Sequence, residues 1–226
     1  MPKLDPRPSD QTSTPDRIRL AAEQLFADQG VASTSTRSIL NAAGQRNESA
    51  LQYHFGGRDG LIEAIYRRRG QQVDEERKKM LVELNAEVGD VDLRRVCEVA
   101  LLPAVRIARR DPTFARFLSV VAQVAFAPSE TLRKMHERYE IATLPQVAQL
   151  IRERLDLPQP VLRSRLELVH RIAAMSLAQR ARTKGSFRGR NADRYFDTVL
   201  DAMTAVLTGP ISGATARNLS PNGGGR

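Results

Sequence analysis

Apolar residues recur at intervals of three and four from about residue 15 to residue 208, and Gly or Pro falls between the runs. That spacing is the period of a helix with one buried face, and no alternating run long enough for a strand interrupts it. The chain is therefore expected to be all-α, with about nine helices. Thr14-Pro15-Asp16 opens the first helix, a cap followed by a proline whose missing N–H costs nothing in a first turn. Ile18, Ala21, Ala22, Leu25 and Phe26 make its inner face, and Gly30 stops it. Thr34 or Ser35 caps a second short helix, with Ile39, Leu40 and Ala43 inward and Gly44 at its end. A third carries ESALQYHF and stops at Gly56-Gly57, since glycine accepts the positive φ that ends a helix.

Longer helices are expected at about 58–84, 91–110, 112–126, 129–155, 158–183 and 191–208. Three short helices joined by tight turns are the right size for a helix-turn-helix domain, expected over 14–60 with its motif at about 36–55. Residues 61–208 form a second helical domain. Residues 1–13 and 209–226, rich in Pro, Ser, Thr or Gly, are expected to be a disordered arm and tail. Pattern alone leaves open a continuous bundle with no special role for its first helices.

The net charge of +9 invites a polyanionic partner. Its distribution weakens that argument: residues 1–69 hold ten Lys/Arg against eight Asp/Glu, whereas 161–226 hold eleven against four. Charge is permissive, and any nucleic-acid reading must rest on local pattern. A single cysteine, Cys97, excludes an internal disulfide framework. No apolar run approaches the roughly 18 to 20 residues of a membrane span, and no apolar signal core lies near the start. A cytoplasmic protein with no membrane partner is expected.

On a helical wheel of residues 45–55, Leu51 and Phe55 fall together, with Asn47 and His54 on their flank. Gln45, Arg46, Ser49, Gln52 and Tyr53 lie opposite, a face with no aliphatic residue and no carboxylate. Such donors suit base edges and phosphate oxygens, and Arg37 and Arg58 flank them with positive charge. An ordinary solvated face with Tyr53 packed sideways has the same wheel.

The stretch QLFADQGVASTSTRSILNAAG, followed by ALQYHFGGRDGLIEAI, resembles the N-terminal domain of the TetR (tetracycline-repressor-like) family of transcriptional regulators. Phe26, Gly30, Thr34, Ser35, Arg37, Ile39, Ala43, Gly44, Leu51, Tyr53, His54, Phe55, Arg58 and Leu61 stand in the family's roles. The sequence departs in two places: GQRNESAL carries one extra residue before Leu51, and Gln52 replaces a phosphate-contacting aromatic. The resemblance implies a DNA-binding site of Ser35, Thr36, Arg37, Arg46, Asn47, Ser49, Gln52, Tyr53, His54 and Arg58. Tyr53 and His54 would lie on the DNA backbone, Arg58 would replace a phosphate-binding lysine, and Arg37 is the candidate for a guanine.

It implies further that 61–208 binds a small-molecule effector and forms a homodimer through its last two long helices. Dimer-interface candidates are Leu166, Val169, Ala173, Phe196, Val199, Leu200 and Met203, and pocket candidates are Leu102, Phe114, Phe117 and Val121. Without the resemblance both sets read as core. The function implied is a sequence-specific repressor on double-stranded DNA with a palindromic operator, released by an effector. The alternative is an all-helical ligand-binding or scaffold protein without specific DNA binding.

An enzyme is the competing class. Glu167 and His170 match one Glu-x-x-His half of a di-iron bundle site, but the second half is missing, and the histidines at 54, 136 and 170 are dispersed. No phosphate loop or metal-ligand spacing occurs, so neither metal nor cofactor is expected. The basic run RARTKGSFRGRNADR at 180–194 reads as a solvated linker, or as a source of nonspecific attraction to DNA.

Overall fold

A computed structural model describes residues 13–47, 49–87, 89–124, 143–182 and 187–219, with side chains omitted for 121–124. Among them ten helices and no strands form: α1 Thr14–Gln29, α2 Thr36–Ala42, α3 Ala50–Phe55, α4 Arg58–Asn85, α5 Leu93–Arg110, α6 Phe114–Val124, α7 Thr143–Glu153, α8 Gln159–Ala181, α9 Arg190–Thr208 and α10 Gly213–Leu219. The all-α expectation holds, with an N-terminal helix-turn-helix unit and a C-terminal helical domain. Most helix ends fall within a few residues of their sequence signals.

Three ends differ. Ser13, not Thr14, caps α1, its hydroxyl accepting the N–H of Asp16 at 3.3 Å; Thr14 and Pro15 then occupy the first turn. Gly213–Leu219, expected to be unstructured, forms α10, whose residues are exposed except for a half-buried Leu219. Of the helix expected at 129–155, residues 129–142 lie outside the described residues, and Thr143–Glu153 is helical.

No loop separates the two domains. α4 is 28 residues long; its first turns pack on α1 and α3, and its remainder runs beneath α5, α6 and α7. One apolar core continues from Ile18, Phe26, Leu51 and Leu61 to Val99, Phe114, Phe196 and Met203. A buried ion pair reinforces the junction. Arg69 on α4 grips Glu23 of α1 through Nη2 at 2.7 Å and Nε at 3.1 and 3.2 Å, while Nη1 reaches Asp111 at 3.1 Å. Glu23 is 2% exposed and Arg69 5%. Burial opposes the charge on Arg69, but Glu23 and Asp111 outweigh it and raise its pKa.

α5 continues through Pro103, which has no N–H for the carbonyl four residues back. That carbonyl belongs to Val99, and Arg77 of α4 supplies the missing donor through Nε at 3.3 Å. The basic run before α9 is anchored rather than wholly solvated. Phe187 is 4% exposed and stacks on Phe196, and Arg188 donates to the Arg109 carbonyl at the end of α5, through Nε at 2.9 Å. Residues 183–186 of that run lie outside the described residues.

Candidate nucleic-acid interface

The corner between α1 and α2 is set by Gly30 at φ +91° and by Thr34. Thr34 is buried, and its hydroxyl lies 2.8 Å from the Gly30 carbonyl and 3.3 Å from that of Leu25, bonding the corner shut. Ser35 is therefore the true cap of α2, accepting the N–H of Ser38 at 3.0 Å. Ile39 and Leu40 face the core, while Ser35 and Arg37 are exposed and Thr36 is half-buried.

α2 ends in a Schellman turn. Gly44, at φ +67°, donates to the Asn41 carbonyl, and the Gln45 N–H closes on Leu40 at 2.9 Å. The next residues do not join α3. The Asn47 side-chain oxygen accepts both the backbone N–H of Ser49 at 2.9 Å and its hydroxyl at 2.7 Å, which commits the chain to a local turn. α3 starts at Ala50 and is six residues long. A wheel begun at residue 45 is therefore too long at its start. Gln45, Arg46, Asn47 and Ser49 belong to the turn.

From Leu51 onward the two-sided reading holds. Leu51 is buried at 3% exposure, Phe55 is half-buried, and Gln52, Tyr53 and His54 face outward. Tyr53 is 85% exposed and meets the His54 ring edge-on at 4.9 Å, so it is not packed sideways into the core. His54 lies with Tyr53 and not on the inner flank.

Gly56, at φ +69°, ends α3, and Gly60 fixes how α4 leaves it. A Cβ on Gly60 would stand 1.8 Å from the Phe55 carbonyl oxygen, so only glycine lets the first turn of α4 close on the end of α3. Apolar spacing does not single out Gly60; its one signal is a third glycine within GGRDGL. Arg58, expected at a phosphate, is turned inward. Its terminal nitrogens donate to the carbonyls of Thr34 and Val31, and its guanidinium lies 5.5 Å from the centre of the Phe26 ring. The unit thus exposes Ser35, Arg37, Arg46, Asn47, Ser49, Gln52, Tyr53 and His54. Hydrogen-bond donors and one free aromatic ring, mounted on glycine-set corners, can contact phosphates and base edges.

In the second domain, Phe114 and Phe117 are core residues packed on each other, with Phe117 also against Tyr66, and Leu102 is half-buried. The Val121 side chain lies outside those described. Of the expected interface residues, Val169, Phe196, Val199, Leu200 and Met203 are buried within this chain, and Leu166 and Ala173 are half-buried. Leu168 and Met175 are instead the exposed large apolar side chains of α8, at 49% and 39%. Glu167 lies 3.9 Å from Arg171, an ordinary one-turn pair. Burial pushes the Cys97 thiol up to about 11, so it stays protonated near neutral pH.

Residues 18–65 match the model of the family described as bacterial regulatory proteins, tetR family. No curated protein matches the chain. Among solved structures, a putative TetR-family transcriptional regulator from Rhodococcus sp. superposes with a TM-score of 0.60 at 17% identity, over 87% of this chain and 100% of that one. A putative tetR family transcription regulator from Shewanella sp. PV-4 gives 0.57 at 18% identity, over 87% and 96%. AmtR from Mycobacterium smegmatis gives 0.53 at 20% identity, over 95% and 98%. The match falls on the segment that builds the exposed head, and the fold likeness extends across both helical domains. Residues 18–65 are thus similar to the tetR family of bacterial regulatory proteins, and the chain as a whole shares its fold with solved tetR-family regulators.

Proposed function

We propose that the chain is a cytoplasmic, homodimeric repressor that occupies a two-fold symmetric operator and leaves it when a small molecule binds its C-terminal domain. One observation carries the DNA-binding half of this reading: α3 holds Tyr53 and His54 in solvent while Leu51 anchors the same helix in the core. Arg37, at the start of α2, is the candidate for a guanine, because its fork matches O6 and N7. Ser35, Thr36, Gln52, Tyr53 and His54 contact backbone and base edges, with Arg46, Asn47 and Ser49 alongside from the turn. Arg58 acts from inside, holding the α1–α2 corner by its two carbonyl bonds.

The dimer forms through α8 and α9, but by their outer faces. Ser164, Leu168 and Met175 share one face of α8, and Thr198, Ala202 and Ala205 share one of α9. Small residues on one helix and long apolar ones on the other suit a four-helix contact. A two-fold pair presents two α3 helices to successive major grooves about 34 Å apart. No helix among the described residues is long and apolar enough to cross a membrane.

Selecting bound fragments from the source genome, followed by gel shift at stated salt, tests the reading. The expected result is one palindromic motif bound by a dimer, with affinity falling steeply as salt rises. Binding without sequence preference would sink it. Sizing of Leu168→Glu tests the dimer face: a shift to monomer is expected, and an unchanged dimer rejects that face.

A further inference from the structure

Two arginines eight residues apart on α4 are buried, and their charges are met very differently. Arg69 has Glu23 and Asp111 as direct partners. Arg77, 5% exposed, has no carboxylate within ion-pair distance among the described residues. Its Nε is held by the carbonyl that Pro103 frees, and its Nη1 donates to the Thr143 hydroxyl at 3.0 Å. That hydroxyl donates in turn to Asp74 at 2.5 Å, and the Thr143 N–H does so at 3.1 Å. Asp74 spends its own ion pair on Lys78, at 3.0 Å. Among the described residues, Arg77 is therefore hydrogen-bonded to the carboxylate of Asp74 only through a hydroxyl relay. From α8, His170 and Arg171 add no negative charge; burial lowers the His170 pKa, and the charges of Arg77 and Arg171 lower it further.

The remaining terminal nitrogen, Nη2, makes no hydrogen bond to a described residue. No fully buried side-chain nitrogen or oxygen among the described residues is left without a partner, so Nη2 must touch accessible space. A groove of about 420 Å³ lies along the same seam between α4 and α7, lined by Leu81, Asn85, Pro145, Gln146, Gln149 and Leu150. Leu81 is one helical turn from Arg77, about 6 Å along the axis. Pro145 follows Thr143 by two residues. The groove carries aliphatic and neutral amide groups and no charge, and its volume is in the range of small-molecule sites.

The geometry points to an organic monocarboxylate as the effector, its head paired with Arg77 beside Thr143 and its aliphatic body in the α4–α7 groove. This rests on the effector reading above. A monoanion fits because one guanidinium lacks a direct counter-charge while Lys78 is already paired with Asp74. Burial pulls Arg77 down to about 10, with Asp74 only partly offsetting, so the group is still charged at neutral pH and gains from an anion. Thr143 opens α7, so a carboxylate that takes over its bond to Arg77 acts directly on the seating of that helix against α4.

Calorimetric titration of the full-length protein with butyrate, octanoate and dodecanoate, each against its matching alcohol and amine, tests the site. At least one carboxylate is expected to bind, with alcohol and amine weaker by about tenfold or more, the worth of a charged hydrogen-bonded pair. Arg77→Gln is expected to abolish that preference and Arg77→Lys to retain part of it; if Arg77→Gln does not fold, Arg77→Lys and Thr143→Val carry the comparison. Equal binding of acid and alcohol, no binding by any of the acids, or an undiminished preference in the folded variants would overturn the proposal. Operator binding followed by fluorescence anisotropy separates the two readings. A carboxylate that binds through Arg77 yet leaves the operator occupied keeps the site and removes its effector role, whereas release that persists in Arg77→Gln removes the site and keeps the effector.

Discussion

The exposed head and the buried middle of α4 solve opposite problems. At the head, Gln52, Tyr53 and His54 stand in solvent on a six-residue helix, and precision comes from backbone corners at Gly30, Gly44, Gly56 and Gly60. In the middle of α4, charged side chains are buried and precision comes from their partners: Glu23 and Asp111 for Arg69, the Val99 carbonyl and Thr143 for Arg77. A surface that reads DNA can vary its side chains cheaply while its corners stay fixed. A buried charge tolerates almost no change, because removing one partner strands the other in low dielectric.

The sharpest way to break that contrast is at the Glu23–Arg69 pair. Arg69→Met leaves Glu23 buried without its cation and is expected to cost about 3–5 kcal/mol of unfolding free energy. Adding Glu23→Gln should restore part of the loss, since the stranded charge is then gone. Urea unfolding of the four proteins in the cycle measures both. If Arg69→Met unfolds like the parent, the junction is held by apolar packing alone.

Gly60→Ala probes the head in the same currency. Its methyl cannot fit 1.8 Å from the Phe55 carbonyl, so α3 or α4 must shift, at about 1–3 kcal/mol by analogy with overpacked cores. Operator affinity should fall further than stability implies, because the shift moves Tyr53 and His54 together. A variant with normal stability and normal DNA binding would show that α3 is not positioned by this contact.

Much of the head was legible in the sequence, and the reasons mark where legibility stops. Leu51, Phe55 and the glycine stops follow from periodicity and positive φ, which are local properties. The start of α3 was misjudged because the Asn47 side chain claims Ser49, a capture that no wheel displays. On α8 and α9 the sequence shows the apolar stripes but not what they face. A stripe reports which face is buried, not what covers it, and Phe196, Val199, Leu200 and Met203 are covered by this chain's own helices. The buried arginines were not legible at all: their partners lie 46, 42 and 66 residues away. Pro103 was the one available hint, since a proline inside a helix frees a carbonyl that something must satisfy.

Arg58 decides between its family role and its placement. A residue bound to phosphate contributes to the salt dependence of binding, so its loss should lower that slope by about 0.9. A residue donating to Thr34 and Val31 should instead lower stability by about 1–3 kcal/mol through the carbonyls it leaves unmet, with the slope unchanged. We expect the second pattern for Arg58→Gln, measured by urea unfolding and by anisotropy across a salt series. A lower slope at full stability would mean that Arg58 turns outward on DNA.

Tyr53→Ala should have the smallest effect on the fold and a clear one on function. At 85% exposure the ring holds nothing in the core, so unfolding should change by no more than about 0.5 kcal/mol. Operator affinity should drop about tenfold, the worth of one hydrogen bond to a charged phosphate oxygen. Tyr53→Phe separates the hydroxyl from the ring: a loss equal to that of alanine assigns the contact to the hydroxyl, and parental affinity assigns it to ring packing on the sugar. Unchanged affinity in Tyr53→Ala would remove α3's most exposed residue from the interface and shift the reading of DNA to Arg37, Arg46 and Asn47. The same measurement thus ranks the two halves of the head.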